Sequence, residues 1–309
     1  MTMWLIITRG AHFGSCLLFF GLFAFDRFIA PAISGPESKI GDYWEMRLRQ
    51  FSLFLWPIIL ASGAAWFALV AMTMSEQPLQ FDILKAVWTQ TQFGTVWEIR
   101  SILLLLAGIA IALFCFLKSQ SKKCVAWFLL AVNGCLLGSL AWAGHGQESS
   151  PWHLCADVLH LLVAGVWPSG LLPLLLLLGQ TAHVAEAKDW LSFAALVRRF
   201  SAISLAAVLL LAATGLVNSW YLVGSIHNLF ARVYGRLLLG KIVLFGLSLQ
   251  IAAVNLLLLK PRLEFETSQK RHAEATVSLI RANVRFELIL GIAIVAIVAV
   301  LGILPPAIH

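Results

Sequence analysis

Eight long apolar segments decide what this chain can fold into. Each has about the 20 apolar residues that an α-helix needs to cross the hydrocarbon core of a bilayer. Little of the 309-residue chain is left between them, and only 12% of its residues are charged. The sequence therefore predicts an all-α, polytopic membrane protein without a sizeable soluble domain. The segments lie near residues 4–28, 51–72, 100–117, 124–143, 154–178, 200–223, 236–259 and 286–304.

Positive charge gathers on one side of the predicted membrane. Of the 22 Lys and Arg residues, all but six lie in or beside the loops after the first, third, fifth and seventh segments. Lys and Arg mark cytoplasmic loops, so we expect both termini on the outer side. The net charge of +7 then reports orientation and does not indicate nucleic-acid binding. The six exceptions are Arg9, Lys85, Arg100, Arg232, Arg236 and Lys241.

Short matches relate the two halves of the chain. A glycine followed six residues later by a cation occurs at Gly94 and again at Gly235, and His12 in the first segment corresponds to His160 in the fifth. Four spans per half give both halves the same orientation, and binding sites in such folds lie between the repeats. The sequence predicts two parallel four-helix repeats, covering residues 1–150 and 151–309.

The same alignment pairs two charged residues, Arg9 and Asp157, each three residues before its histidine. We expect them to pair where the first and fifth helices meet, because pairing lowers the cost of charge near lipid. No chain of acidic residues crosses the predicted membrane, which argues against a simple proton-relay pump.

Side chains that bind soft metals lie mainly on the predicted outer side. Six of the eight histidines and four of the five methionines are there. His12 and His160 have matched depths of roughly 12 Å below the outer surface, at 1.5 Å per helical residue. An imidazole at that depth needs a partner. Either a neighbouring helix accepts a hydrogen bond from it, or a metal binds it.

The loop between the halves adds further candidate ligands. His145 lies between two glycines, and His153, Asp157 and His160 share one helical face because of their spacings of four and three. Imidazole with carboxylate suits Cu(II) or Zn(II). The alternative is a solvated loop whose polar residues bind nothing.

Soft sulfur ligands indicate which metal is involved. Met72 and Met74 lie at an outer helix end, and Cys16 lies one turn beyond His12 on the same face. Thioether and thiolate ligands favour Cu(I), although methionines can equally be apolar filling. The sequence therefore predicts a copper site, with His12, His145, His153, His160, Asp157, Met72, Met74 and Cys16 as the candidate ligands.

Five short motifs stand out along the chain: AHFG at residues 11–14, FGTVWEIR at 93–100, GHG at 144–146, DVLH at 157–160 followed by Trp167, and YGRLLLGK at 234–241. Together they resemble the CopD/PcoD family of bacterial copper-resistance membrane proteins. The resemblance spans the whole chain and implies residence in the inner membrane, copper handling and cooperation with a periplasmic copper-binding protein of the CopC type. It also implies copper movement toward the cytoplasm. Of the candidate copper ligands, His12, His145 and His160 stand in the matching motifs.

The leading functional prediction is a copper-binding inner-membrane protein, with periplasmic termini, that takes copper from the periplasm. One alternative is electron transfer, with His12 and His160 as ligands of a b-type haem. Another is a scaffold that docks the periplasmic copper protein and moves nothing. No nucleophile–base pair indicates an enzyme. The expected partners are the CopC-type protein, the lipid bilayer and, as an option, further copies of the chain.

Overall fold

The computed structural model describes residues 1–35, 38–117, 119–143, 150–180, 187–269 and 273–307. These residues form helices and no strands. The helices are α1 (Thr2–Phe28), α2 (Lys39–Ser75), α3 (Phe81–Gln90), α4 (Gln92–Phe116), α5 (Ser119–Gly138), α6 (Pro151–Leu178), α7 (Ala187–Val223), α8 (Ile226–Ala231), α9 (Val233–Val254), α10 (Lys260–Ser268) and α11 (Glu274–Leu301). A π-helical turn, Asn255–Leu259, joins α9 to α10, and 3₁₀ turns follow α1 and α5.

Eight of the described helical stretches are long and apolar enough to cross a membrane, which confirms the all-α, eight-span prediction. Several helices extend beyond their apolar part. Helix α2 begins at Lys39 and not near residue 51, because Ser38 caps it by accepting the Gly41 N–H at 3.1 Å. Hydropathy detects only the part of a helix that lies in lipid, so it misses such polar extensions.

Two short helices, α3 and α8, were not predicted. Each leads directly into a membrane-spanning helix, α4 or α9. At both corners a glycine makes the close approach possible, because a Cβ on Gly94 or Gly235 would collide with backbone carbonyl oxygens of the preceding short helix. The glycines matched by sequence therefore occupy equivalent corners.

Helix α1 lies at the centre of the molecule, packed against α2, α5, α6 and α11. In its most apolar stretch 67% of residues are buried, against 6% in the stretch that contains α9. A row of phenylalanines, including Phe19, Phe23 and Phe25, fills the space around α1. The buried polar side chains of α1, His12 and Asp26, therefore face protein and not lipid.

Gly21 allows α1 and α6 to touch. A Cβ there would lie 2.5 Å from the Gly165 carbonyl oxygen and would collide with Ser169. We expect Gly21→Ala to lower the free energy of unfolding by about 1–3 kcal/mol through overpacking. Thermal unfolding in detergent, followed by tryptophan fluorescence, measures this. Gly246→Ala in α9 is the matched control, since its Cβ meets nothing within 4 Å. Equal stability of the two variants would contradict the prediction.

Candidate functional site

His12 is completely buried where α1 meets α2. Its Nδ1 lies 3.1 Å from the Ile59 carbonyl oxygen and 3.1 Å from Ser62 Oγ. The Ser62 hydroxyl already donates to the Ile58 carbonyl at 2.6 Å, so it accepts from the imidazole. This network assigns the proton to Nδ1 and leaves the lone pair on Nε2.

Arg100 of α4 donates a hydrogen bond to that lone pair. Its guanidinium donates to His12 Nε2, to Ser139 Oγ at 2.5 Å and to the Leu136 carbonyl at 2.9 Å. It also lies 3.9 Å from Cys16 Sγ, which is itself 3.7 Å from His12 Nε2. The structure thus brings His12 and Cys16 together as the sequence predicts, but around a fully buried arginine that holds both.

The same arrangement recurs around His160 on α6. Its Nδ1 lies 2.9 Å from Thr214 Oγ1, and that hydroxyl donates to the Leu210 carbonyl at 2.6 Å. Nδ1 therefore carries the proton here too, and Lys241 Nζ of α9 lies 3.4 Å from Nε2. In both halves a glycine follows the hydroxyl residue, and the imidazole packs where its side chain would be.

The two histidines differ in the space around them. His160 opens onto a cavity of about 200 Å³ between α1, α6, α7, α9 and α11, and His12 is not part of its wall. We call it the His160 cavity. Among the described contacts nothing joins His12 to His160, and each Nε2 faces a cation, so no observation favours axial ligation of a shared haem. The titratable residues of the cavity wall are Arg9, His153, Asp157, His160, Tyr234 and Lys241.

Asp157 supplies the negative charge of this cavity. Its Oδ1 accepts from Asn218 Nδ2 at 3.1 Å, and Lys241 and Arg9 lie in the same cavity wall. Arg9 and Asp157 thus line the same cavity, but the predicted ion pair between them is not formed among the described contacts. Arg9 instead donates to the Gly302 carbonyl at 2.6 Å.

The remaining predicted ligands are placed differently. His153 is buried in the cavity wall, stacked on Tyr221 with ring centroids 4.8 Å apart. Met72 is half-buried and Met74 is exposed at the end of α2, and His145 lies outside the described residues. Within the described part of the chain, no three His, Cys, Asp or Glu side chains form a group that could hold a metal.

A second cavity, of about 140 Å³, lies between α6, α7, α9 and α11. We call it the Glu287 cavity, after the one titratable residue in its wall. Glu287 is 2% exposed and accepts from Asn255 Nδ2 at 2.8 Å. Glu287 was not predicted as a site residue from the sequence. The matched positions of Arg100 and Lys241 were predicted, but their contacts with the two histidines were not. The available signal was a charged residue inside an apolar segment.

Comparison with known proteins places these features in a family. Residues 1–154 match the sequence model of the copper resistance protein D-like N-terminal domain, and residues 194–301 match that of copper resistance protein D. Copper resistance protein D of Pseudomonas syringae pv. tomato is 29% identical, covering 97% of this chain and 96% of that protein. No solved structure matches the chain.

Two further relatives agree with this assignment. Copper transport protein CutJ of Bacillus subtilis is 29% identical over 62% of this chain and 35% of its own length. Inner membrane protein YebZ of Escherichia coli is 27% identical over 97% of this chain and 98% of its own length. With its eight apolar helices, the chain is a multi-pass inner-membrane protein related to copper handling. It belongs to the copper resistance protein D family.

Proposed function

We propose that this protein accepts copper at the periplasmic face and moves it toward the cytoplasm, with the His160 cavity as its entrance. The observation that carries the proposal is the contact of Lys241 Nζ with His160 Nε2 at 3.4 Å. It puts a cation against the lone pair that a metal would use. Relatives named for copper resistance and copper transport support copper as the natural cation.

The charge distribution supports the orientation. Lys and Arg concentrate on the side where α1 ends and α2 begins, which favours a cytoplasmic location for that side. The His160 cavity then opens toward the periplasm, near the beginning of α6 and the end of α7. A periplasmic copper-binding protein of the CopC type is the proposed donor. His145, Met72 and Met74 are proposed as ligands on the approach to the cavity.

Copper binding requires Lys241 to move. Arg9 and Lys241 together outnumber the single carboxylate of Asp157 in the cavity wall, so a further cation is repelled while both remain. When Lys241 withdraws, His160 Nε2 becomes free, and Asp157 and His153 line the same space. Imidazole with carboxylate is a suitable ligand set for copper. Lys241 thus acts as a tethered substitute cation.

The first half has the corresponding site in a closed form. We propose that the halves are repeats, in which Arg100 corresponds to Lys241 and His12 to His160. The Arg100 guanidinium has four neighbouring acceptors, His12, Ser139, Leu136 and Cys16, and is therefore held far more firmly than the Lys241 ammonium. His12 and Cys16 then anchor α1 and do not receive copper.

Copper content should separate the two histidines. We expect His160→Gln to weaken copper binding at least about tenfold, because it removes the central ligand. His12→Gln, which keeps an acceptor for Arg100, should bind copper as the wild type does. Elemental analysis of purified protein at graded copper concentrations gives both values. If only the His12 variant loses copper, the copper entrance lies in the first half and not at the His160 cavity.

Removing the substitute cation should strengthen binding. We expect Lys241→Leu to bind copper about tenfold more tightly, because no ammonium competes for His160 Nε2. Lys241→Arg keeps the charge and serves as the control, with affinity no higher than that of wild type. Competition with a copper chelator of known affinity provides the measurement. Weaker binding in Lys241→Leu would show that the ammonium supports the site and does not compete with copper.

Transport itself is tested in proteoliposomes. We expect copper from a loaded CopC-type donor to accumulate inside vesicles that contain wild-type protein, and His160→Gln to abolish this. The orientation of the protein in the vesicles is measured at two exposed positions, one on each predicted side of the membrane. In right-side-out vesicles an impermeant maleimide should label Gln77→Cys but not Gln269→Cys, above the background of the native cysteines. If the donor binds but no copper accumulates in the vesicles, the transport proposal fails and the alternative function as a docking scaffold remains.

A further inference from the structure

The two cavities lie in series along the same helices. Glu287 and Gly291 are one turn apart on α11, and Glu287 lines its own cavity while Gly291 lines the His160 cavity. On α6, Trp167 lines the Glu287 cavity and its neighbour Pro168 lines the His160 cavity. The Trp167 ring packs edge-on against Phe245, with centroids 5.9 Å apart, at this boundary. A polar site therefore lies beyond the entrance, behind an aromatic barrier.

Glu287 lacks a cation. No Lys, Arg or His lies within ion-pair distance of it among the described residues, whereas buried Asp26 pairs with Arg27. Its one described hydrogen bond comes from Asn255, whose Oδ1 accepts from Asn283 Nδ2 at 2.8 Å. A bare carboxylate buried in a membrane-spanning helix is costly, so the group must bind a cation or a proton.

The charged side chains near this cavity do not enter its wall. On α11, Arg285 is exposed and Arg281 lies beside Gly179 at the end of α6. Helix α7 carries Arg198 and Arg199, both exposed. Lys260 of α10 is half-buried, beyond the π-helical turn. None of these is a wall residue, so Glu287 faces only neutral groups.

The polar atoms of the wall are oxygens and amides. Ser201 and Ser204 of α7 join Asn255 and Glu287, and Ser204 Oγ has no hydrogen-bond partner in the described structure. Asn255 begins the π-helical turn, a feature frequent at functional sites. Oxygen ligands suit protons and hard cations and not Cu(I). The volume of about 140 Å³ holds a few water molecules, which can carry protons.

We propose that Glu287 is a proton-binding site at the cytoplasmic end of the copper pathway. It holds a proton while the Glu287 cavity is empty and releases it to cytoplasmic water as copper passes. The O–H bond breaks, the proton leaves to water, the carboxylate left behind offsets one positive charge of the passing copper ion, and no electron moves. The copper step rests on the proposed function, whereas the resident proton does not.

Infrared spectroscopy of the reconstituted protein tests the resident proton without transport. We expect a carboxylic-acid C=O band that disappears in Glu287→Gln and shifts in Asn255→Leu, because Asn255 donates to this carboxyl group. Glu274→Gln, an exposed substitution on the same helix, is the control and should leave the band unchanged. A spectrum in which Glu287→Gln removes no such band would overturn the proposal.

Copper uptake tests the exchange in the same samples. In wild-type vesicles the rate should fall about tenfold per unit of lumenal acidification, as expected when copper passage requires the loss of one proton. Glu287→Gln should transport copper more slowly and independently of lumenal pH, because glutamine has neither a proton to lose nor a carboxylate to offset the copper charge. Retained pH dependence in that variant, or inhibition by lumenal Na⁺ in place of protons, would overturn the proposal. If the wild type transports no copper, the proposed function fails, and the infrared band alone decides the resident proton.

Discussion

Lipid hydrocarbon offers no hydrogen bonds, and every buried polar group of this protein must find its partner inside the helix bundle. Helix α1 meets this requirement most fully, because neighbouring helices surround it. His12 obtains a hydroxyl from α2 and a guanidinium from α4. The packing of α1 against the second half, through Gly21 and α6, then brings Arg9 to the wall of the His160 cavity.

One difference in side-chain chemistry separates the two histidine sites. A guanidinium has five N–H donors in a fixed plane and fills the space beside His12, whereas an ammonium on a flexible stem leaves a cavity beside His160. The hydroxyl partners are equivalent, and in both sites they fix the proton on Nδ1. The same pattern of contacts is thus filled in the first half and leaves open space in the second.

Hydropathy and charge were enough to predict the eight spans, since lipid imposes a length and an apolar composition on each. The matched glycine–cation spacing predicted equivalent positions for Arg100 and Lys241. What each cation touches could not be predicted, because side-chain partners depend on how helices rotate and pack. Glu287 was missed for a related reason. A single acidic residue in an apolar segment looks incidental until its cavity and its missing cation are seen.

The position of α1 has a mechanical consequence. Its His12 face is fixed by Arg100, so α1 cannot turn about its axis to follow events beside Arg9. Helices α9 and α11 are far less enclosed, and they carry Lys241 and Glu287. If copper passes as proposed, α9 and α11 are therefore the helices that move, against an α1 that stays in place.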